Sequence, residues 1–119
     1  MTDIDPRAAR EEARRQGHLL FDPIAEEYLP LDGVDIGRMF GSDGLRIRGK
    51  VFAFVGFAGD LMLKLPASRI DALAAEGVAA RMVMRGREMR EWLRVEQDRP
   101  EQWAPLTAEA YAFLDEITP

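Results

Sequence analysis

The chain contains no cysteine and no asparagine, and it has only one histidine and two serines. Without cysteine, a disulfide-stabilised scaffold and a zinc site with thiolate ligands are both excluded. A serine–histidine–acid triad would need His18 beside Ser42 or Ser68, and neither serine lies in a nucleophile-elbow motif. No spacing of Asp, Glu and His matches a known metal-ligand set. We therefore expect no enzymatic activity, no bound cofactor or metal ion, and no small-molecule substrate.

Long apolar runs and an excess of positive charge are also missing. No run approaches the ~20 residues of a membrane span, and residues 1–16 are too charged for a secretory signal. Sixteen Lys and Arg stand against 21 Asp and Glu, a net charge of −5, which is not the signature of a dedicated nucleic-acid-binding protein. The composition of the 119 residues, 47% hydrophobic and 31% charged, is typical of one soluble globular domain. The sequence predicts a cytoplasmic protein without membrane contact.

One segment imitates a phosphate-binding loop. Gly44–Lys50 matches the first seven positions of that motif, but Val51 stands where Ser or Thr should hold magnesium. The motif also needs a helix after its lysine, so that backbone N–H groups point at the anion. The residues that follow Lys50 are instead typical of a strand. We interpret Gly49-Lys50 as a hairpin turn and expect no nucleotide binding.

The pattern predicts two helices in the N-terminal part of the chain. Asp5 and Pro6 suit the first turn of a helix over residues 6–16, and Gly17 can end it. A second helix is predicted to begin at Asp22-Pro23.

From residue 34 onward the hydrophobic pattern has a period of two, which is typical of strands. Predicted strands lie near 35–40, 44–48, 51–57 and 60–65, and after them come a helix over 67–76, strands near 80–85 and 90–96, and a helix over 100–117. Because short turns join the first four strands, they should form an antiparallel meander. The predicted fold is α+β, with two layers: an antiparallel sheet (the meander plus two further strands) and helices on one face, in the order α-β4-α-β2-α.

The expected turns also predict which side chains share a face of the sheet. Two-residue turns at 49–50 and 58–59 place Phe54 opposite Leu45 and Leu63. The face under the helices is then predicted to hold Leu45, Ile47, Phe52, Phe54, Leu61, Leu63 and Leu65. The outer face is predicted to hold Arg46, Arg48, Val51, Ala53, Val55, Met62 and Lys64.

Five short motifs suggest a family. They are Gly-Arg-Met-Phe-Gly at 37–41, Gly-Leu at 44–45, Gly-Lys-Val-Phe-Ala at 49–53, Leu-Lys-Leu-Pro at 63–66 and Gly-Arg-Glu-Met-Arg-Glu-Trp at 86–92. In this order and spacing, from about Phe21 to Phe113, the chain resembles the N-terminal domain of the TfoX/Sxy family. The resemblance implies a two-layer α+β fold with a secretion-chaperone-like topology, and it brings no established catalytic residues. The segment Ala80–Met84 departs from the family, which usually has Pro-Phe after the middle helix.

The resemblance also has implications for the domain organisation of the chain. Full-length members resemble regulators of natural competence and carry a second, helical C-terminal domain. We expect this chain to be a stand-alone first domain, with residues 1–17 as a charged helical extension and residues 18–119 as a single α+β domain.

Charge is unevenly distributed along the sequence. Residues 1–33 carry −4, residues 34–95 carry +4 and residues 96–119 carry −5. The candidate binding face, on the outer side of the sheet, consists of Arg46, Arg48, Lys64, Arg90, Trp92 and Arg94. Such a face is compatible with a protein partner or a weak homodimer, with nucleic acid, or with simple exposure to solvent. The pattern also leaves open whether Trp92 lies in the core instead of on this face. Our hypothesis is a non-enzymatic domain that acts through protein–protein contact in transcriptional, competence-type regulation, with direct nucleic-acid binding as the alternative.

Overall fold

In the part of the chain that the structure describes, three helices and six strands follow one another in the predicted order. The computed structural model describes residues 5–39 and 41–119, so Phe40 of the first motif and residues 1–4 of the predicted extension lie outside the described residues. The elements are α1 (Pro6–Tyr28), β1 (Val34–Met39), β2 (Ser42–Ile47), β3 (Lys50–Val55), β4 (Leu61–Lys64), α2 (Ala67–Ala75), β5 (Ala80–Met84), β6 (Arg87–Val95) and α3 (Trp103–Ile117), with a 3-10 turn at Pro100–Gln102 before α3. None of the helices in this described part is long and apolar enough to cross a membrane.

The strands form one antiparallel sheet in the order β1-β2-β3-β4-β6-β5. Buried residues of all three helices join one cluster with the sheet, for example Phe21 of α1, Ile70 of α2 and Trp103 of α3. The helices therefore cover a single face, and the predicted two-layer α+β fold is confirmed. We call the other side of the sheet the open face.

The predicted break between two N-terminal helices is wrong. α1 continues through Gly17 and Pro23 because Gly17, Phe21 and Ala25 lie on one side of it and are buried together. A Cβ atom at Gly17 would overlap the carbonyl oxygen of Gly59 and lie 2.9 Å from Val55 Cγ1. Gly17 permits close packing inside the helix, and it does not end the helix. The domain boundary placed after residue 17 stays a prediction.

The predicted register of the meander is wrong as well. The turn residues with positive φ are Arg48 and Gly49, so that Ile47 pairs with Lys50 rather than with Phe52. β3 also carries one extra residue opposite the Leu45/Arg46 step, which shifts the alternation of its side chains. Phe54 consequently pairs with Met62 and faces away from the helices.

Because of this bulge, three of the predicted face assignments are wrong. Ala53 and Val55, predicted on the outer face, belong to the fully buried cluster under the helices. Phe54, predicted under the helices, is buried on the open face. The other predicted members of the helix-covered face do lie there, namely Leu45, Ile47, Phe52, Leu61, Leu63 and Leu65.

The phosphate-loop interpretation can be checked against the same hairpin. Lys50 begins β3 and pairs with Ile47 across the Arg48-Gly49 turn. A strand, and not a helix, therefore follows the lysine, as predicted.

Candidate protein-docking face

The open face carries its own apolar cluster although no helix residue of the described chain belongs to it. Phe54, Met82 and Trp92 are buried there, and the Trp92 ring meets the Phe54 ring edge-on at 5.4 Å between centroids. Partly buried side chains surround them: Met39, Val51, Met62, Met84 and Met89. Every methionine of the described residues therefore lies on this face. Methionine side chains are flexible and polarizable, and they adapt to irregular partners.

A groove shares several residues with this cluster. The methionine groove, as we call it, has a volume of about 460 Å³ and is lined by Phe54, Gly56, Phe57, Met62, Met82, Val83, Met84 and Arg85. Phe57 and Val83 are each 59% exposed, which is high for large apolar side chains. Exposed apolar surface of this kind, bordered by polar groups, is typical of a contact site.

A second cavity, of about 330 Å³, brings together three of the sequence-predicted site residues. Arg46, Lys64 and Trp92 line it, and the Lys64 ammonium lies 5.3 Å from the centre of the Trp92 ring. Trp92 is only 5% exposed, which settles its place in the open-face cluster. The other side chains at this cavity include Arg38, Met39, Lys50 and Val51.

The two cations of that group are matched by carboxylates. Arg46 donates from Nε and Nη2 to both carboxylate oxygens of Asp35, at 2.8 and 2.6 Å. These hydrogen bonds, together with the guanidinium charge, hold the pKa of Asp35 below its usual value. Lys64 Nζ lies 3.6 Å from Glu91 Oε1. Most of the positive charge predicted at this face is therefore compensated within the protein.

Arg48 does not lie on the open face, contrary to the prediction. Its guanidinium donates to the carbonyl oxygens of Asp115 and Thr118, at 2.9 and 2.8 Å, and contacts the Asp115 carboxylate at 3.0 Å. It reaches the C-terminal end of α3 because its backbone adopts the positive φ of the hairpin turn. A cation there satisfies carbonyl groups that the helix leaves without partners. Arg48 therefore has a structural role, in which its side chain caps the C-terminal end of α3 from the β2–β3 turn.

The remaining predicted residues lie on β6. Arg94 Nη1 forms an ion pair with Asp60 Oδ2 at 2.9 Å, and Arg94 Nη2 lies 3.8 Å from Glu96. Arg90 is exposed, and its carbonyl oxygen accepts a hydrogen bond from Arg81 Nε. Of the five predicted cations, only Arg90 lacks a carboxylate within 4.0 Å among the described residues.

Sequence reasoning missed the methionine groove. The usable signal was the concentration of Met62, Met82 and Met84 in strands of one sheet, since alternate residues of β5 share a face. The segment that departs from the family pattern, Ala80–Met84, is the one that forms an edge of the groove.

Among residues 5–39 and 41–119, no group of three or more His, Asp or Glu side chains is placed to hold a metal ion. His18, the one histidine, lies in α1 with Nδ1 3.7 Å from Asp22 Oδ1. That arrangement is an ordinary contact between successive turns of a helix.

The fold and the face together define a small α+β domain with one sheet face covered by helices and the other carrying an apolar groove. The family model of the TfoX N-terminal domain matches residues 27–114, more than half of the chain, and the chain belongs to this family. No curated protein and no solved structure matched the chain.

Proposed function

We propose that this protein is a non-enzymatic, cytoplasmic binding domain that contacts a protein partner through its open face. The observation that carries the proposal is the methionine groove, a cavity of about 460 Å³ with exposed Phe57 and Val83 at its edge. Flexible methionine side chains suit the varied surface of another protein.

The wider role we propose is regulatory. Membership of the TfoX N-terminal domain family supports a part in transcriptional, competence-type regulation, in which the domain acts by contact with another protein. Compensation of Arg46, Lys64 and Arg94 by carboxylates supports protein contact over nucleic-acid contact.

A pull-down with three forms of the protein tests this proposal. The baits are the wild type, Val83→Asp at the groove, and Leu19→Asp on α1, which replaces a similarly exposed apolar side chain away from the groove. Each is used with and without nuclease, and bound proteins are identified by mass spectrometry. We expect a partner that survives nuclease, is lost with Val83→Asp and is retained with Leu19→Asp. A partner that disappears on nuclease treatment would favour the nucleic-acid alternative, and equal loss with both variants would contradict docking at the groove.

A further inference from the structure

A second surface continues from the methionine groove along α1. Phe57 also lines a cavity of about 420 Å³ formed with Arg7, Arg10, Glu11 and Arg14, which we call the arginine cleft. The Arg14 guanidinium carbon lies 5.3 Å from the centre of the Phe57 ring. One wall, the Phe57 ring, therefore separates an apolar cavity from a cationic one.

The charge of the arginine cleft is not compensated within the described residues. Arg7 lies 3.6 Å from Glu11, but Arg10 and Arg14 have no carboxylate within 4.0 Å in the described chain. Three arginines and one glutamate leave two positive charges in the cleft. Arg85, which also lines the methionine groove, is likewise without such a partner among residues 5–39 and 41–119.

This arrangement differs from the cavity at Trp92, where Asp35 pairs with Arg46 and Glu91 pairs with Lys64. Within the described residues, positive charge without a carboxylate partner therefore borders the apolar groove at Arg10, Arg14 and Arg85. A ligand that fills both cavities must offer large apolar side chains at one point and carboxylates a few residues along.

We propose that the methionine groove and the arginine cleft together bind one acidic peptide segment of a partner protein, with large apolar residues in the groove and Asp or Glu side chains at Arg10 and Arg14. This inference rests on the proposed function and specifies its partner. Charge complementarity carries it, since complementary potentials across an interface select partners and speed association. A nucleic acid offers the anions but no aliphatic side chains for a groove built from methionines.

The test is a selection from a displayed library of random twelve-residue peptides on the wild-type protein, with counter-selection on Val83→Asp. Affinities of the selected peptides are then measured for Arg10→Glu, Arg14→Glu and the matched control Arg99→Glu. Arg99 is exposed and lines a separate cavity near Gly77. Urea unfolding of each variant ensures that folded proteins are compared.

We expect selected peptides that combine Asp or Glu with Leu, Ile, Met, Phe or Trp. Each charge reversal at Arg10 or Arg14 should weaken their binding about fivefold, since an exposed attraction becomes a repulsion, and Arg99→Glu should leave it unchanged. Arg10→Glu is decisive if Arg14→Glu disturbs the fold, because the Arg10 side chain makes no hydrogen bond in the described structure.

Three outcomes would overturn the inference. Apolar peptides without acidic residues, with affinities insensitive to both reversals, would leave the groove as a docking site and remove the acidic segment from the proposal. Failure of any peptide to bind the wild type better than Val83→Asp would contradict the proposed function itself. Concentration-dependent dimers in sedimentation, lost on Arg10→Glu, would make a second copy of this chain the occupant.

Discussion

At the scale of single residues, the open face is unusual because it buries large side chains without a helix above them. Phe54 is 1% exposed and Trp92 is 5% exposed, and their rings meet at an interplanar angle of 68°. An edge-to-face pair adds to the free energy gained by removing the rings from water. The stability of the molecule therefore depends on both faces of its sheet.

Phe54→Ala should lower the free energy of unfolding by about 3–5 kcal/mol, because a buried aromatic side chain leaves a cavity. Val83→Ala, at an exposed position of β5, should change it by no more than about 0.5 kcal/mol. Urea denaturation of both variants measures the difference. A loss below about 1 kcal/mol for Phe54→Ala would mean that the open-face cluster contributes little to folding.

Tyr28 predicts a dependence of stability on alkaline pH. Its ring packs against Phe52 and Tyr111, with centroids 5.9 and 5.3 Å away. Burial, then the negative charge of Glu27, then Tyr111, raise the pKa of Tyr28 above its usual value of 10.0.

The direction of this pH dependence follows from proton binding by Tyr28 in the folded and unfolded states. Above pH 10 the unfolded chain loses the Tyr28 proton before the folded protein does, so the stabilising contribution is complete below that pH and falls as the pH rises. Unfolding by urea between about pH 8 and pH 11 should show a steeper decline for the wild type than for Tyr28→Phe. Parallel curves for the two proteins would contradict a raised pKa.

At the scale of elements, α1 is held to the sheet by close contact of two glycines. Gln97 Nε2 supports this contact by donating to the carbonyl oxygens of Ala13 and Gly59, at 2.7 and 3.1 Å. The helix thus crosses the β3–β4 loop at a distance that only Gly17 permits.

Gly17→Ala should destabilise the protein by a net amount of up to about 2 kcal/mol, although alanine is the better helix former. Helix propensity favours the change by about 1 kcal/mol, while overpacking against Gly59 and Val55 costs about 1–3 kcal/mol. Thermal unfolding beside Leu19→Ala, an exposed substitution in the same helix, measures the effect. An increase in stability with Gly17→Ala would show that α1 does not pack on the loop as described.

The helices and strands also show which parts of the fold could be predicted from the sequence and which could not. Element order, helix-covered face and most core positions follow from periodicity and turn residues, because those signals are local. The continuation of α1 through Gly17 and Pro23 depends on packing against Val55 and Gly59, which no local pattern encodes. The extra residue in β3 exchanged the faces of Ala53 and Phe54, since one inserted residue reverses every side chain beyond it.

The candidate site was predictable only in part, for the same reason. Arg46, Lys64, Trp92 and Arg94 lie on the sheet side opposite the helices, as their strand positions suggested. Arg48 does not lie on that face because it occupies the hairpin turn. The carboxylates that compensate these cations come from other strands or loops. The net charge of the face therefore could not be predicted from the sequence of its own strands.

At the scale of the whole molecule, the basic middle of the sequence does not become an equally basic surface. Residues 34–95 carry a net charge of +4, yet Arg46, Lys64 and Arg94 are paired with carboxylates. Arg48 is directed to the acidic C-terminal segment through Asp115. Folding thus neutralises most of the predicted cationic face and leaves the arginine cleft on α1 as the uncompensated positive region beside the methionine groove.

This distribution predicts that the protein does not bind nucleic acid through its sheet. Non-specific binding has a Kd of about 10⁻⁴–10⁻⁶ M and weakens steeply with salt, because each neutralised phosphate releases counterions. Fluorescence anisotropy with a labelled DNA duplex and a labelled single-stranded RNA should show no binding in that range at low salt. The matched variant Asp35→Asn with Glu91→Gln frees Arg46 and Lys64 from their carboxylates, and it should bind both probes more strongly than the wild type does. Salt-dependent binding by the wild type that the freed cations do not increase would mean that another surface, with the arginine cleft first among the candidates, contacts the nucleic acid.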